Sequence, residues 1–318
     1  MTECASCADE RAAGAAFCES CGRSLAAGPA CPHCGTPGAV GEDGYCEQCG
    51  MLAGRPRDHL EADAGAVAAA VTDRGLRHHR NEDAMWLVTR GGDVDVVVCD
   101  GVSASFDPDV ASESAANTAG GLLSGSLDVS GAILAAKASV AELARNGDPR
   151  RAASNPACTI VAARVRGAEV SVGWVGDSRA YWLPADGPAE QLTEDDSWAS
   201  HVIAMGADPE TAMRDPKAHA ITAWLGADAA PVLPRTGSFT VVGPGHLVLC
   251  SDGLWNYLPE ATAFGDTVRE HLRAGGTLIE AARGLVSFAN AAGGADNITV
   301  ALVPVSPADS AAATAVKE

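Results

Sequence analysis

The sequence predicts an α+β fold in which two antiparallel sheets pack face to face with helices outside, preceded by a small cysteine-rich module. Three observations predict it. Eight of the eleven cysteines fall in the first fifty of 318 residues. After about residue 66, apolar strand-like runs cluster beside one another instead of alternating strictly with helices. The Ala-rich helical stretches come in twos, at about 109–125 and 130–146 and again at about 260–274 and 277–292.

The cysteine module comes first in the chain. It holds four C-x-x-C pairs, Cys4/Cys7, Cys18/Cys21, Cys31/Cys34 and Cys46/Cys49, and Gly22, Gly35 and Gly50 each follow a second cysteine. C-x-x-C lets two thiolates converge on one ion, and glycine there tolerates the positive φ that such a turn needs. Two foursomes predict two tetrahedral zinc sites of four sulfurs each. Their metal supplies folding energy that a segment with so few large apolar residues (Phe17, Leu25, Val40, Tyr45) cannot find in a core. Disulfide pairing or redox activity is the competing reading, and the regular repeats with glycine favour zinc. The pattern is similar to a double zinc ribbon over residues 1–50. Two Arg against seven acidic residues make it a poor grip for nucleic acid, so a protein partner or an intramolecular regulatory role is expected.

Residues 51–65 lack periodicity and hold Gly, Pro and charges, and they read as a linker. Strands are expected at 93–99, 159–165, 169–175, 245–251 and 297–303. Cys99, Cys158 and Cys250 sit in or beside apolar runs and read as core filler. Aromatics are only 4%, so the core must be built from Ala, Val, Leu and Ile. Residues 306–318 read as a disordered tail. The formal charge of −19 argues against nucleic acid and against an anionic membrane surface as partners. The start, MTECASCADE, has neither a basic nor an apolar leader segment, so a cytoplasmic location is expected.

Acidic residues recur at the ends of the apolar runs. Asp100 follows VVVC, Asp177 follows VGWVG, Asp252 follows LVLCS, and Asp296 precedes NITVALV. Glu82 and Asp83 lie in RNEDA, just before another strand. A single Asp-Gly is ordinarily a turn. Four such sites, each at the end of a run, point instead to carboxylates converging on one edge of a sheet pair. All-oxygen ligation of this kind selects Mg²⁺ or Mn²⁺.

The segments TDRGLRHHRNEDA (72–84), VVVCDG (96–101), GDSRAYWL (176–183), QLTEDDS (191–197), LVLCSDGLWNYL (247–258) and GADNITV (294–300) resemble, in order, those of the metal-dependent type 2C Ser/Thr protein phosphatases of bacteria. The resemblance spans residues 66–305 and implies a four-layer α-β-β-α sandwich that hydrolyses phosphoserine and phosphothreonine in proteins, opposing bacterial Ser/Thr kinases. It implies that Asp100 bridges two Mn²⁺ or Mg²⁺ ions, that the carbonyl of Gly101 completes one site, and that Asp252 and Asp296 hold the other. Glu82 and Asp83 match positions that orient water. Asp177 matches a position tied to a third, weaker metal shared with Asp252. The irregular middle, about 195–235, matches a flap near that third metal.

Two departures stand out. Where relatives carry an Arg before N-E-D, this chain has His78, flanked by Arg77, His79 and Arg80. Arg77 is the expected phosphate-binding cation, with His78 or Arg80 as substitutes. After Asp100 the chain reads DGVSASFDPD, without the family's further glycines or its nearby His. These departures motivate a rival reading, a catalytically weak or inactive scaffold that recruits partners through its ribbons.

Overall fold

The computed structural model describes residues 4, 6–13, 15, 18–22, 25, 30–31, 34–41, 44–51, 53–125, 127–145, 148–231 and 233–307. The expected tail beyond residue 307 lies outside them. The chain divides into two compact units, Met1–Asp58 and His59–Glu318. Among the described residues no helix is long and apolar enough to cross a membrane.

Among its described residues the first unit has a short α-helix, α1 (Cys7–Ala12), a single 3-10 turn at Pro56–Asp58, and isolated bridges between Ala30 and Pro37 and between Val40 and Cys46. Its buried apolar residues form two small groups, Cys7, Cys18 and Leu25, then Cys31, Ala39 and Cys46. Cysteine sulfur is a large part of each, as the shortage of large side chains predicts.

The second unit is built on two antiparallel sheets. One has the order β1-β2-β13-β12-β8-β9, from β1 (His59–Asp63), β2 (Ala69–Asp73), β8 (Arg179–Pro184), β9 (Glu190–Gln191), β12 (Gly245–Cys250) and β13 (Ile298–Val305). The other has the order β11-β7-β6-β4-β3, from β3 (Ala84–Arg90), β4 (Asp93–Cys99), β6 (Ile160–Arg166), β7 (Glu169–Val175) and β11 (Arg235–Thr240). A two-strand ribbon, β5 (Ala157–Cys158) with β10 (Leu225–Gly226), packs into the same core and bridges Gly101 through Cys158.

The period of two explains why the central strands read as unbroken apolar runs. Val94, Val96 and Val98 of β4 face Leu247, Leu249, Ala301 and Val303 across the sandwich. Val97 and Cys99 point the other way, into α2 (Pro108–Leu123) and α3 (Val129–Leu143). Val248 and Cys250 likewise meet α8 (Ala261–Gly275) and α9 (Leu278–Ala291). The result is the expected α-β-β-α layering. Local signals start the helices: Asp128 accepts from Gly131 N at the head of α3, and Thr277 and Glu280 form a capping box on α9. Cys99, Cys158 and Cys250 are all fully buried.

Two expectations need correcting. The linker was expected to run to residue 65, but His59–Asp63 forms β1, paired along its length with β2. This edge strand is mostly exposed and is held by backbone pairing and charge: Arg283 grips Glu61, and His59 Nδ1 lies 2.7 Å from Asp73. It has no apolar alternation for a pattern to reveal. The irregular middle contains α5 (Trp198–Ala204) and α6 (Pro209–Met213), started by Ser197 and by Asp208 before Pro209 and packed through Ala199, Ala212 and Ala218.

Candidate metal centre and catalytic cleft

Register brings the carboxylates to one end of the sandwich. Ala84 pairs with Cys99, so Glu82, Asp83 and Asp100 leave the five-stranded sheet together. Cys250 pairs with Val300, so Asp252 and Asp296 leave the six-stranded sheet together. Asp252 opens the short helix α7 (Asp252–Trp255), and Asp177 lies in the turn between β7 and β8.

The carboxyls are close enough to repel one another. Desolvation, and then the charges of Asp83, Asp252, Asp177 and Asp296, push the Asp100 carboxyl well above the usual range. Desolvation raises Asp177 to about 8, with the charge of Asp252 adding to it. It raises Asp83 to about 7, against hydrogen bonds from Thr299 and Ser251. It raises Asp252 to about 6, with the charge of Asp296 adding. Asp252 Oδ2 accepts from Asn256 Nδ2 at 3.0 Å, whereas its Oδ1 is buried and accepts no hydrogen bond. An orphaned buried carboxylate oxygen among others of its kind fits a hard cation, because all-oxygen donor sets bind Mg²⁺ and Mn²⁺.

Hydroxyls and amides fix these acids in place. A relay runs from Asn81 Nδ2 to Thr72 Oγ1 at 2.8 Å, on to Thr299 Oγ1 at 2.7 Å, and on to Asp83 Oδ2 at 2.6 Å. Ser251 Oγ donates to the same Asp83 oxygen at 2.7 Å. Asn297 accepts from Glu82 N at 2.7 Å and donates to the carbonyls of Arg74 and Arg80. Ser103 Oγ donates to Glu82 Oε2 at 2.5 Å. Gly101 lies so close to Pro108 and Glu82 that an added Cβ would stand 2.6 Å from Glu82 O.

Asp177 is held from behind. Trp255 Nε1 donates to its carbonyl at 3.0 Å, and the Arg179 guanidinium stacks 3.5 Å from the Trp255 ring centre. Arg179 also makes a two-point contact with Asp195, at 2.9 and 2.7 Å. Ser251, Thr299, Asn297, Arg179, Asp195 and Trp255 all fall inside the motif segments, yet sequence reasoning gave none of them a role. Their common signal is position: all but Asp195 lie within a few residues of a candidate acid.

The three basic residues expected to compete for phosphate part company. His78 turns to the acids, with Nε2 3.1 Å from Asp296 Oδ1 and Nδ1 3.9 Å from Glu82 Oε2. Arg80 pairs with Asp109 at 3.0 Å. Arg77 is exposed on the wall of a cleft of about 470 Å³ that also meets Glu82, Ser103 and Phe106.

Residues 75–287 match the family model described as protein phosphatase 2C. The chain belongs to the protein phosphatase 2C family. It is 33% identical over 250 residues to the serine/threonine phosphatase stp of Listeria innocua, covering 73% of this chain and 93% of that protein. The solved serine/threonine phosphatase of S. agalactiae is 27% identical, with a TM-score of 0.63 over 77% of this chain and all of that one. A PstP catalytic domain solved in complex with two manganese ions is 25% identical, with a TM-score of 0.58 over 75% of this chain and 97% of that one.

The cysteine module lies before the span matched to protein phosphatase 2C. Its sulfurs gather into two tetrads, Cys4, Cys7, Cys18 and Cys21, and Cys31, Cys34, Cys46 and Cys49, each within 4.8 Å. Neighbouring sulfurs lie 3.3 to 3.8 Å apart. Tetrahedral zinc with four thiolates separates its sulfurs by about 3.8 Å, and a disulfide would hold two sulfurs at about 2 Å. All eight cysteines are free thiols, so the tetrads fit zinc. Gly22, Gly35 and Gly50 adopt φ of 69°, 73° and 70°, as the motif predicted.

Proposed function

We propose that this protein phosphatase 2C member works in the cytoplasm and hydrolyses phosphoserine and phosphothreonine in proteins, opposing bacterial Ser/Thr kinases. Asp100, the Gly101 carbonyl, Asp252 and Asp296 would hold two Mn²⁺ or Mg²⁺ ions, and Asp177 with Asp252 a third. When bound, such ions supply an acidified water and offset charge on the phosphoryl oxygens.

The chain's own residues do the rest. Glu82, fixed by Ser103, and Asp83, fixed by Ser251 and Thr299, accept hydrogen bonds from water and aim it at phosphorus. His78, held between Asp296 and Glu82, stands at the edge of the phosphoryl site and offers it a ring nitrogen. No side-chain nucleophile is required. The two cysteine tetrads hold structural zinc, and the module they stabilise contacts a protein partner or regulates the phosphatase unit.

The observation that carries this reading is the crowding of acids with raised carboxyls around the orphaned Asp252 oxygen. Folding has opposed their mutual repulsion, which a bound cation relieves. Manganese-dependent turnover of a phosphothreonine peptide tests it. Folded protein that fails to turn over at millimolar manganese would favour the inactive scaffold instead. Metal analysis should find close to two zinc per chain.

A further inference from the structure

The cleft beside the acids holds an unbalanced charge. One wall comes from residues 77–80 and the other from residues 103–108. Most of the charges around it are matched inside the molecule. Arg80 meets Asp109, Arg151 meets Asp107 at 3.0 Å, His78 meets Asp296, and Glu82 accepts from Ser103. Arg77 differs: it is exposed, lines the cleft, and among the described residues makes no hydrogen bond or ion pair. Of the two arginines that line the cleft, Arg80 is held by Asp109, which leaves Arg77 as the one without an acid.

We propose that Arg77 recognises a substrate carboxylate adjacent to the phosphorylated residue, so that this phosphatase prefers acidic phosphopeptides. The inference rests on the hydrolytic reading above and names its substrate class. The guanidinium fork matches a carboxylate at two points. The cleft has the size of a small-ligand pocket and room for a flanking side chain. A net charge of −19 repels acidic peptides at long range, so a local cation at the mouth of the site is what makes their capture selective.

Three phosphothreonine peptides test it, identical except for Glu, Gln or Lys flanks, with p-nitrophenyl phosphate as a substrate without flanks. The wild type should favour the Glu peptide over the Gln peptide in kcat/KM by about fivefold, and salt should shrink the ratio. Arg77→Ala should bring the ratio to one, Arg77→Glu should reverse it towards the Lys peptide, and Arg77→Lys should keep part of it. A loss shared equally by all substrates, with the ratio unchanged, would overturn the proposal and assign Arg77 to the phosphate itself. Turnover without flank preference would overturn this inference alone. Absence of turnover of every substrate by folded, manganese-loaded protein would overturn the hydrolytic reading along with it.

Discussion

His78 Nε2 stands 3.1 Å from Asp296 Oδ1, while Nδ1 of the same ring is 3.9 Å from Glu82 Oε2. One imidazole therefore spans two acids of the candidate centre, from the position where relatives carry an arginine. A hydrogen bond to a charged group contributes about 1.5–3 kcal/mol. His78→Ala should accordingly lower kcat/KM on a phosphothreonine peptide by about tenfold or more. His78→Arg should retain more activity than the alanine variant. Steady-state kinetics on the two variants checks both statements.

Asp252→Asn removes the orphaned oxygen's charge and keeps an oxygen able to accept from Asn256. Loss of a cation ligand should cost at least the ~100-fold seen when a supporting residue is removed. The fold should survive, because a charge in a repulsive cluster has gone. Turnover with manganese and a far-ultraviolet circular dichroism spectrum together decide it.

The raised carboxyls set the sign of a pH effect. Asp252, Asp83 and Asp177 stand at about 6, 7 and 8 against an ordinary value of 3.8. Between those limits the folded protein holds protons that the unfolded chain has released, so stability falls as pH rises. His59 adds in the same direction: desolvation lowers its value, but Glu61 and Asp73 raise it on balance. Without divalent cation the melting temperature should drop by about 5 °C between roughly pH 5.5 and pH 8. Millimolar manganese should remove most of that slope and leave the smaller part due to His59.

Gly75 adopts φ +73°, and an added Cβ would overlap the carbonyl of Asp296. Gly75→Ala should therefore destabilise the phosphatase unit by about 3 kcal/mol and weaken manganese binding through a displaced Asp296. Urea denaturation and a manganese titration of activity measure the two effects.

The second compact unit begins at His59. A chain starting there should remain an active phosphatase if the cysteine module regulates from outside. A chain starting after Gly65 loses β1, the Arg283–Glu61 pair and the His59–Asp73 contact, and should melt lower. Parallel melting curves of the two truncated chains separate the boundaries.

Where residues carried a periodic or chemical signature, the sequence was a good guide. The central strands β4, β6, β7, β12 and β13 stand within a residue or two of their apolar runs, and Asp100, Asp252 and Asp177 gather as their positions after strands implied. The edge strand β1 was invisible because its side chains face water. The Asn81–Thr72–Thr299–Asp83 relay was invisible for another reason. Thr299 lies more than two hundred positions from the other three members and meets them only through the pairing of β2 with β13. Likewise nothing local told His78 from Arg77. Their separation depends on which way each side chain turns from a loop packed on Asn297.

Asp100 rides on one sheet, whereas Asp252 and Asp296 ride on the other, and Val96, Val98, Leu247 and Leu249 fill the space between. That apolar filling acts as a calliper, setting the gap across which the acids face each other. Trimming one of those side chains would register first as a loosened grip on manganese, at temperatures where the protein is still folded.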